Sequence, residues 1–265
     1  MDLGLAGKNV IVTGGASNIG RAISLTFAQE GANVAIVDLD VAQGQKTADE
    51  ANGYNAGGKS IVHKMDVTDW PLVQETFKKI HTEFGGIDIL VNNVGWEMVM
   101  FFVDTTPDFW DRIIAINYKG VIHCTKAVIP YMLDQKSGAV VNIGSDAGRM
   151  GDAREAVYGG CKAGVINFTK SVARENGRFG IRLNTVCPGA TVPVAKTDVG
   201  EGSMWGALGP DAFPDDMREK WSKNYALKRL GTAQEVANGV VFLASSRASF
   251  ITGQTLSVSG GYSMM

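Results

Sequence analysis

The stretch NVIVTGGASNIGRAI (9–23) decides how the chain folds. NVIVT (9–13) is a short apolar run of strand length. It feeds directly into a glycine-rich turn, and from Ile19 to Gln29 the apolar spacing becomes helical, stopping near Gly31. Glycine lets a backbone turn tightly and approach a ligand closely. A helix that opens there offers free N–H groups and the positive end of its dipole to a diphosphate. A second apolar strand, NVAIVD (33–38), ends on an acid, Asp38. A carboxylate at that position suits both hydroxyls of an adenosine ribose and repels a 2′-phosphate, which points to NAD over NADP. Asp38 also reads as a plain strand-end or helix-cap acid, although Asp40 offers a cap of its own.

Outward from this unit the alternation continues. Strands are expected at 59–65, 87–93, 139–144, 181–186 and 254–260, and helices at 41–54, 70–84, 107–133, 155–178 and 233–245. Pro107 is well placed in the first turn of its helix. Continuous apolar strands alternating with helices predict a parallel sheet covered on both faces, joined by right-handed crossovers. A Gly/Pro-rich segment at about 190–225 interrupts the pattern and reads as an insertion with short helices. With no linker, repeat or low-complexity stretch, residues 1–265 are expected to form a single domain.

Composition narrows the function classes. Of 265 residues 45% are hydrophobic, and the formal net charge is −2 without a basic cluster, so a nucleic-acid or anionic-membrane surface is not expected. No leader-like or membrane-spanning run is read, and Cys124, Cys161 and Cys187 are odd in number and far apart, which suits a reducing, cytoplasmic setting. His63, His81 and His123 lack ligand spacing, and no metal site is expected.

Between the fifth strand and the helix at 155–178 lies SDAGRMGDAREAVYGGCK (145–162). Tyr158 and Lys162 stand four residues apart and share one helix face. A free phenol, with a pKa of roughly 10, is a poor base at neutral pH, and a neighbouring cation favours its phenolate. Alone, such a pair is an ordinary surface coincidence; a phosphate cradle upstream and Ser145 nearby make it a candidate proton relay.

Thr13-Gly14-x-x-x-Asn18-x-Gly20, Asn92-Asn93-Val94-Gly95, Asn117, Ser145, Tyr158-x-x-x-Lys162 and Pro188-Gly189 resemble, in order and spacing, the motifs of the short-chain dehydrogenase/reductase family. The likeness covers essentially the whole chain. It implies a Rossmann-like, doubly wound α/β domain with a seven-stranded parallel sheet and helices on both faces, a nicotinamide cofactor and a homotetramer or dimer. In the family's terms Tyr158 is the acid/base and Lys162 lowers the Tyr158 pKa and holds the nicotinamide ribose. Ser145 steadies the substrate oxygen, and Asn117 holds a water beside Lys162. Cofactor contacts are expected from Gly14, Ser17, Asn18, Ile19, Gly20, Asp38, Leu39, Asp66, Val67, Asn93, Gly95, Tyr158, Lys162, Pro188, Gly189 and Thr191. Asn18 replaces the family's usual middle glycine, and asparagine tolerates positive φ best among the other residues.

Substrate-side residues are expected from three loops, with Trp96, Arg149, Arg154 and Trp205 as the leading candidates; 190–225 would act as a lid. NNVGW, the 145–162 stretch and FITGQTLSVSGG (250–261) are similar to hydroxyacyl-CoA dehydrogenases of anaerobic or aromatic catabolism, 2-hydroxycyclohexanecarboxyl-CoA dehydrogenase among them. The expected activity is therefore NAD-dependent oxidation of a secondary alcohol, a cyclic or aromatic hydroxyacyl-CoA. The alternatives are a dehydrogenase of a free cyclic, aromatic or steroid alcohol, an NADPH-dependent 3-oxoacyl reductase, and an inactive dinucleotide-binding assembly subunit. The presence of Ser145, Tyr158 and Lys162 together speaks against the last.

Overall fold

Side-chain alternation along each strand assigns it to two layers at once. In β1 (Asn9–Thr13) Val10 and Val12 join one core while Ile11 joins the other. In β2 (Asn33–Asp38) Val34 and Ile36 face the first core, Ala35 and Val37 the second. The first core is closed by α1 (Asn18–Gln29) through Ile23 and Phe27, and by a helix at Ala233–Ala244 through Val236 and Val240. The second is closed by α3 (Trp70–Phe84) through Phe77 and Ile80 and by α5 (Gly120–Gln135) through Cys124 and Val128. A sheet buried on both faces needs strands that are apolar throughout, as these are.

The computed structural model describes residues 2–193, 195–201, 203, 206 and 214–265. Besides β1 and β2 the sheet contains β3 (Ser60–Lys64), β4 (Ile89–Asn92), β5 (Gly138–Ile143), β6 (Ile181–Pro188) and β7 (Thr255–Val258). All seven are parallel, in the order β3-β2-β1-β4-β5-β6-β7. The remaining helices are α2 (Val41–Gly53), α4 (Pro107–Ile114), the short α6 (Ala147–Met150), α7 (Ala156–Asn176), α8 (Asp215–Ser222) and α9, the Ala233–Ala244 helix already met. This is the expected Rossmann-like α/β sheet. Its order reverses at β1, which opens a crevice at the carboxyl ends of β1 and β4, where such sheets take their ligands.

A row of polar side chains crosses the sheet just below this edge. Asn92 Nδ2 donates to Asn142 Oδ1 at 2.8 Å and to Thr125 Oγ1 at 3.1 Å. Asn142 Nδ2 donates to Thr169 Oγ1 at 2.8 Å, and Thr185 Oγ1 lies 3.0 Å from Thr169 Oγ1. The row ties β4, β5 and β6 to α5 and α7 inside the protein, where an unpaired amide would cost about 1–3 kcal/mol.

The helix expected at 107–133 is one continuous helical run, but not a uniform α-helix. α4 passes through a π-helical turn, Ala115–Lys119, into α5. π-turns interrupt regular hydrogen bonding and gather at functional sites, and this one carries Asn117. The helix expected to reach 178 gives way to a 3-10 turn at Gly177–Phe179. Asp40 caps α2, accepting from Gln43 N, and Asp69 caps α3, accepting from Leu72 N. Both leave the nearby candidate acids, Asp38 and Asp66, out of the capping role. No helix among the described residues is long and apolar enough to cross a membrane.

Candidate active site

The dinucleotide cradle is built from backbone. Gly14 has φ 63° and Asn18 φ 45°, so the turn needs the left-handed region twice. Gly20 is required for a different reason: a Cβ there would lie 1.9 Å from Gly14 O. Asn93 Nδ2 braces the turn from β4, donating to Gly14 O at 3.0 Å. Asn18 does not aim its amide into the cradle. Its Nδ2 donates to Thr191 O at 3.1 Å, joining the turn to the loop after β6. Ser17 Oγ accepts from Gly200 N at 3.0 Å, Gln43 Nε2 donates to Thr197 O at 2.9 Å, and Arg21 lies 3.4 Å from Asp198. The first residues of the expected insertion are thus pinned across the N-terminal ends of α1 and α2.

Asp38 ends β2 as expected. Its Oδ2 accepts from Ala16 N and its Oδ1 from Asp40 N, both at 3.1 Å. Burial raises its pKa above the ordinary carboxylate value, against the pull of those backbone bonds. A carboxylate has about four acceptor sites, so two remain for ribose hydroxyls. Leu39 beside it is exposed. Asp66 Oδ1 accepts from Thr68 N at 2.8 Å and from Thr68 Oγ1 at 2.7 Å, closing a local turn, while Val67 is buried with its carbonyl 3.0 Å from His123 Nδ1. Ile19 is half-buried at the start of α1. Pro188 ends β6, Gly189 packs against Tyr225, whose hydroxyl accepts from Ala190 N at 2.8 Å, and Thr191 is buried. Left-handed turns, an open helix N-terminus and an acid at the end of β2 together fit a nicotinamide dinucleotide.

At the same edge, the β5–α6 loop and α7 bring Ser145, Tyr158 and Lys162 together. Lys162 is 2% exposed, with Nζ donating to Ile143 O at 2.9 Å and lying 5.5 Å from the centre of the Tyr158 ring. Burial lowers its pKa to about 8, against the neighbouring Cys187, Cys161 and Glu97. Tyr158 differs from the expectation. Its pKa is raised, not lowered: burial comes first, then the carboxyls of Glu97 and Glu155, and only the Ser145 hydrogen bond pulls it back. Desolvation of the phenolate outweighs everything opposing it here.

Asn117, fully buried, has its side chain fully engaged. Oδ1 accepts from Trp96 N at 3.2 Å, and Nδ2 donates to Trp96 O at 2.7 Å and Ile113 O at 2.9 Å. The amide clamps the loop after β4 against the π-turn, beside Gly95, which also neighbours Lys162 Nζ. Both Nδ2 hydrogens are taken by protein carbonyls, which leaves the amide none for a water.

Next to Tyr158 is a small pocket lined by Met98, Met100, Phe102, Phe109 and Ile113, with Glu97, Thr105, Arg154 and Glu155 as its polar members. Sequence reasoning singled out Trp96 and missed Glu97 as a chemical group. Trp96 packs on Phe109 at 5.9 Å between ring centres, with the Arg112 guanidinium 4.0 Å over its ring. Arg154 borders the pocket but donates from Nη2 to Val99 O at 3.3 Å, with its own carbonyl accepting from Met100 N at 3.1 Å. Arg149 turns elsewhere: Nη1 lies 2.6 Å from Ser257 Oγ, which donates to Asp146 Oδ1, so it braces the Ser145 loop against β7. Trp205 lies outside the described residues, as do Met204 and Phe213.

With this geometry in hand, the chain matches a family model described as enoyl-(acyl carrier protein) reductase over residues 14–263. It belongs to the short-chain dehydrogenase/reductase family. Among its relatives in that family are the 3-oxoacyl-[acyl-carrier-protein] reductases FabG of Thermotoga maritima, 37% identical over 97% of this chain and 98% of the relative, and of Escherichia coli K12, 38% identical over 98% of each. That of Staphylococcus epidermidis is 38% identical over 97% of this chain and 99% of the relative. The chain is therefore an oxidoreductase of the short-chain dehydrogenase/reductase family. These likenesses favour the 3-oxoacyl reductase alternative over the hydroxyacyl-CoA dehydrogenase expected from NNVGW and the C-terminal stretch.

Proposed function

We propose that this short-chain dehydrogenase/reductase interconverts a 3-oxoacyl thioester and its 3-hydroxyacyl form with a nicotinamide dinucleotide. The observation that carries the reading is Tyr158, with the Ser145 hydroxyl beside it and Lys162 behind it, lining a pocket with a largely apolar wall. The relatives' names supply the thioester. Bound nicotinamide supplies or accepts the hydride. The Tyr158 hydroxyl donates its proton to the ketone oxygen in reduction and takes it from the alcohol in oxidation. A raised phenol pKa suits the first role, since a neutral phenol is the proton donor. Ser145 donates to the same substrate oxygen and steadies its developing charge. Lys162, held on Ile143 O, keeps a positive charge beside the phenol and would hold the ribose of the nicotinamide.

A second reading, oxidation of a hydroxyacyl-CoA with NAD, is favoured by Asp38. Its carboxylate suits ribose hydroxyls, and Asp40 lies beside it to disfavour a 2′-phosphate. Both readings concern one reaction in opposite directions, and NAD(H) is the cofactor we propose for either. A homotetramer or dimer formed through the long helices is proposed with it. The test is turnover of acetoacetyl thioesters with NADH and NADPH, beside oxidation of 3-hydroxyacyl-CoA with NAD. Activity confined to NADPH overturns the cofactor assignment, and activity only with free cyclic alcohols overturns the thioester.

A further inference from the structure

The pocket beside Tyr158 contains a carboxyl that hydride and proton transfer leave unused. Glu97 follows Trp96, whose N–H and C=O are both held by the Asn117 amide, so the backbone that carries Glu97 is fixed to the helical run beneath it. Glu97 Oε1 is enclosed and has no hydrogen-bond partner among the described residues. An enclosed polar atom without a partner calls for a ligand or a water. The groups facing it are Glu155 and Asp152, Lys162 and Tyr158 along α7, and Arg154 at the pocket rim. Burial first, then Glu155, push Glu97 up to about 8, and burial and Asp152 push Glu155 up to about 7. At neutral pH Glu97 therefore carries its proton, and a protonated carboxyl can donate as well as accept.

We propose that Glu97 is a specificity-determining residue: its enclosed carboxyl binds a neutral carbonyl oxygen placed two carbons from the reacting ketone and excludes a free carboxylate from that position. The other walls support the assignment. Met98, Met100, Phe102, Phe109 and Ile113 offer no side-chain hydrogen bond, Thr105 Oγ1 is taken up by Phe102 O and Trp110 Nε1, the Arg154 guanidinium donates to Val99 O, and Glu155 stands beside Glu97 as the second carboxyl. A 3-oxoacyl thioester has its thioester carbonyl at that spacing, and it is uncharged. The corresponding free acid would bring a full charge into a site where burial already disfavours the charged forms of Glu97 and Glu155. The assignment rests on the thioester reading above and adds the residue that recognises it.

The test compares wild type, Glu97→Gln and Glu97→Ala on S-acetoacetyl-N-acetylcysteamine and on cyclohexanone, a ketone without the second carbonyl. Losing one hydrogen bond should lower the preference for the thioester over cyclohexanone by about tenfold in Glu97→Ala, mostly through KM. Glu97→Gln, whose amide still donates, should keep the preference and remove its decline above about pH 8; Lys162 titrates in the same range but acts on both ketones and cancels from their ratio. Equal loss on both ketones, no loss, or a pH-dependent decline of the preference that persists in Glu97→Gln overturns the proposal. If wild type reduces neither ketone, the thioester reading fails separately. Calorimetric binding of the thioester then decides the role of Glu97: weaker binding to Glu97→Ala upholds it, and equal or absent binding overturns it.

Discussion

The cradle and the substrate pocket share one edge of the sheet and are made of different material. The cradle is backbone: two left-handed residues, a glycine that touches a carbonyl, and a helix N-terminus at the end of β1. The pocket is side chains on a loop, and that loop leaves Phe101 61%, Phe102 59% and Val103 87% exposed. Asn117 clamps its start, and Arg154 holds Val99 and Met100 further on. The contrast teaches that this protein fixes its cofactor by steric exclusion and its substrate by a few side-chain bonds. The first should tolerate almost no substitution, and the second should change specificity before it changes stability.

The largest effect should come from the pair between the two regions. Tyr158→Phe should lower turnover by roughly 10²–10⁴-fold. NADH binding, followed by fluorescence, should persist because the cradle is untouched; turnover within tenfold of wild type would dissolve the division between binding and chemistry. Next is Gly20→Ala, which forces a methyl onto Gly14 O. It should cost about 1–3 kcal/mol of stability and weaken NADH binding, and an unchanged Tm with unchanged NADH affinity would show the cradle to be as yielding as the pocket.

Asn117→Ala removes both bonds to the Trp96 backbone. Freed of that clamp, the pocket should lose about tenfold in kcat/KM, whereas NADH affinity should stay near wild type; a cofactor defect instead would mean that the loop after β4 belongs to the cradle. A smaller signal lies in pH. Glu97 and Glu155 have raised pKa values in the folded protein, so their contribution to stability is fully present below the ordinary carboxyl range and is lost as pH rises through about 7 and 8. Tm should fall over that interval, and Glu97→Gln should flatten the fall; a slope that is the same in both proteins would remove Glu97 from the account.

The smallest effect should be Asn18→Gly. It loses the bond to Thr191 O, worth about 0.5–1.5 kcal/mol, and relieves a non-glycine at φ 45°. The two nearly cancel, so NADH affinity should move only slightly. A large drop would show that the Asn18 clasp on the loop after β6 is part of cofactor binding.

Much of this was legible in the chain. NVIVT followed by TGGASNIG announces strand, turn and helix because period, glycine placement and φ demands are local properties. The positive φ of Asn18 was readable for the same reason, but the partner of its amide, 173 residues away, was not. Asn117 was recognisable as a polar residue in an apolar helix, whereas the π-turn around it and its grip on Trp96 were not. The upward shift at Tyr158 was also hidden, since spacing shows the lysine four residues on but not the water that burial removes. Arg149 and Arg154 looked alike in sequence, and the fold sends one to Ser257 and the other to the loop after β4.

The sequence by itself therefore determined the layered sheet and the turn of the cradle, and it brought forward Ser145, Tyr158 and Lys162 as the candidate set. Each depends on residues near one another in the chain or on periodicities of 2.0 and 3.6. Only the tertiary structure decided how those groups are charged and what surrounds them. Glu97 beside Glu155, Lys162 and Tyr158 is one consequence, because burial and distant neighbours set a pKa and a pocket wall.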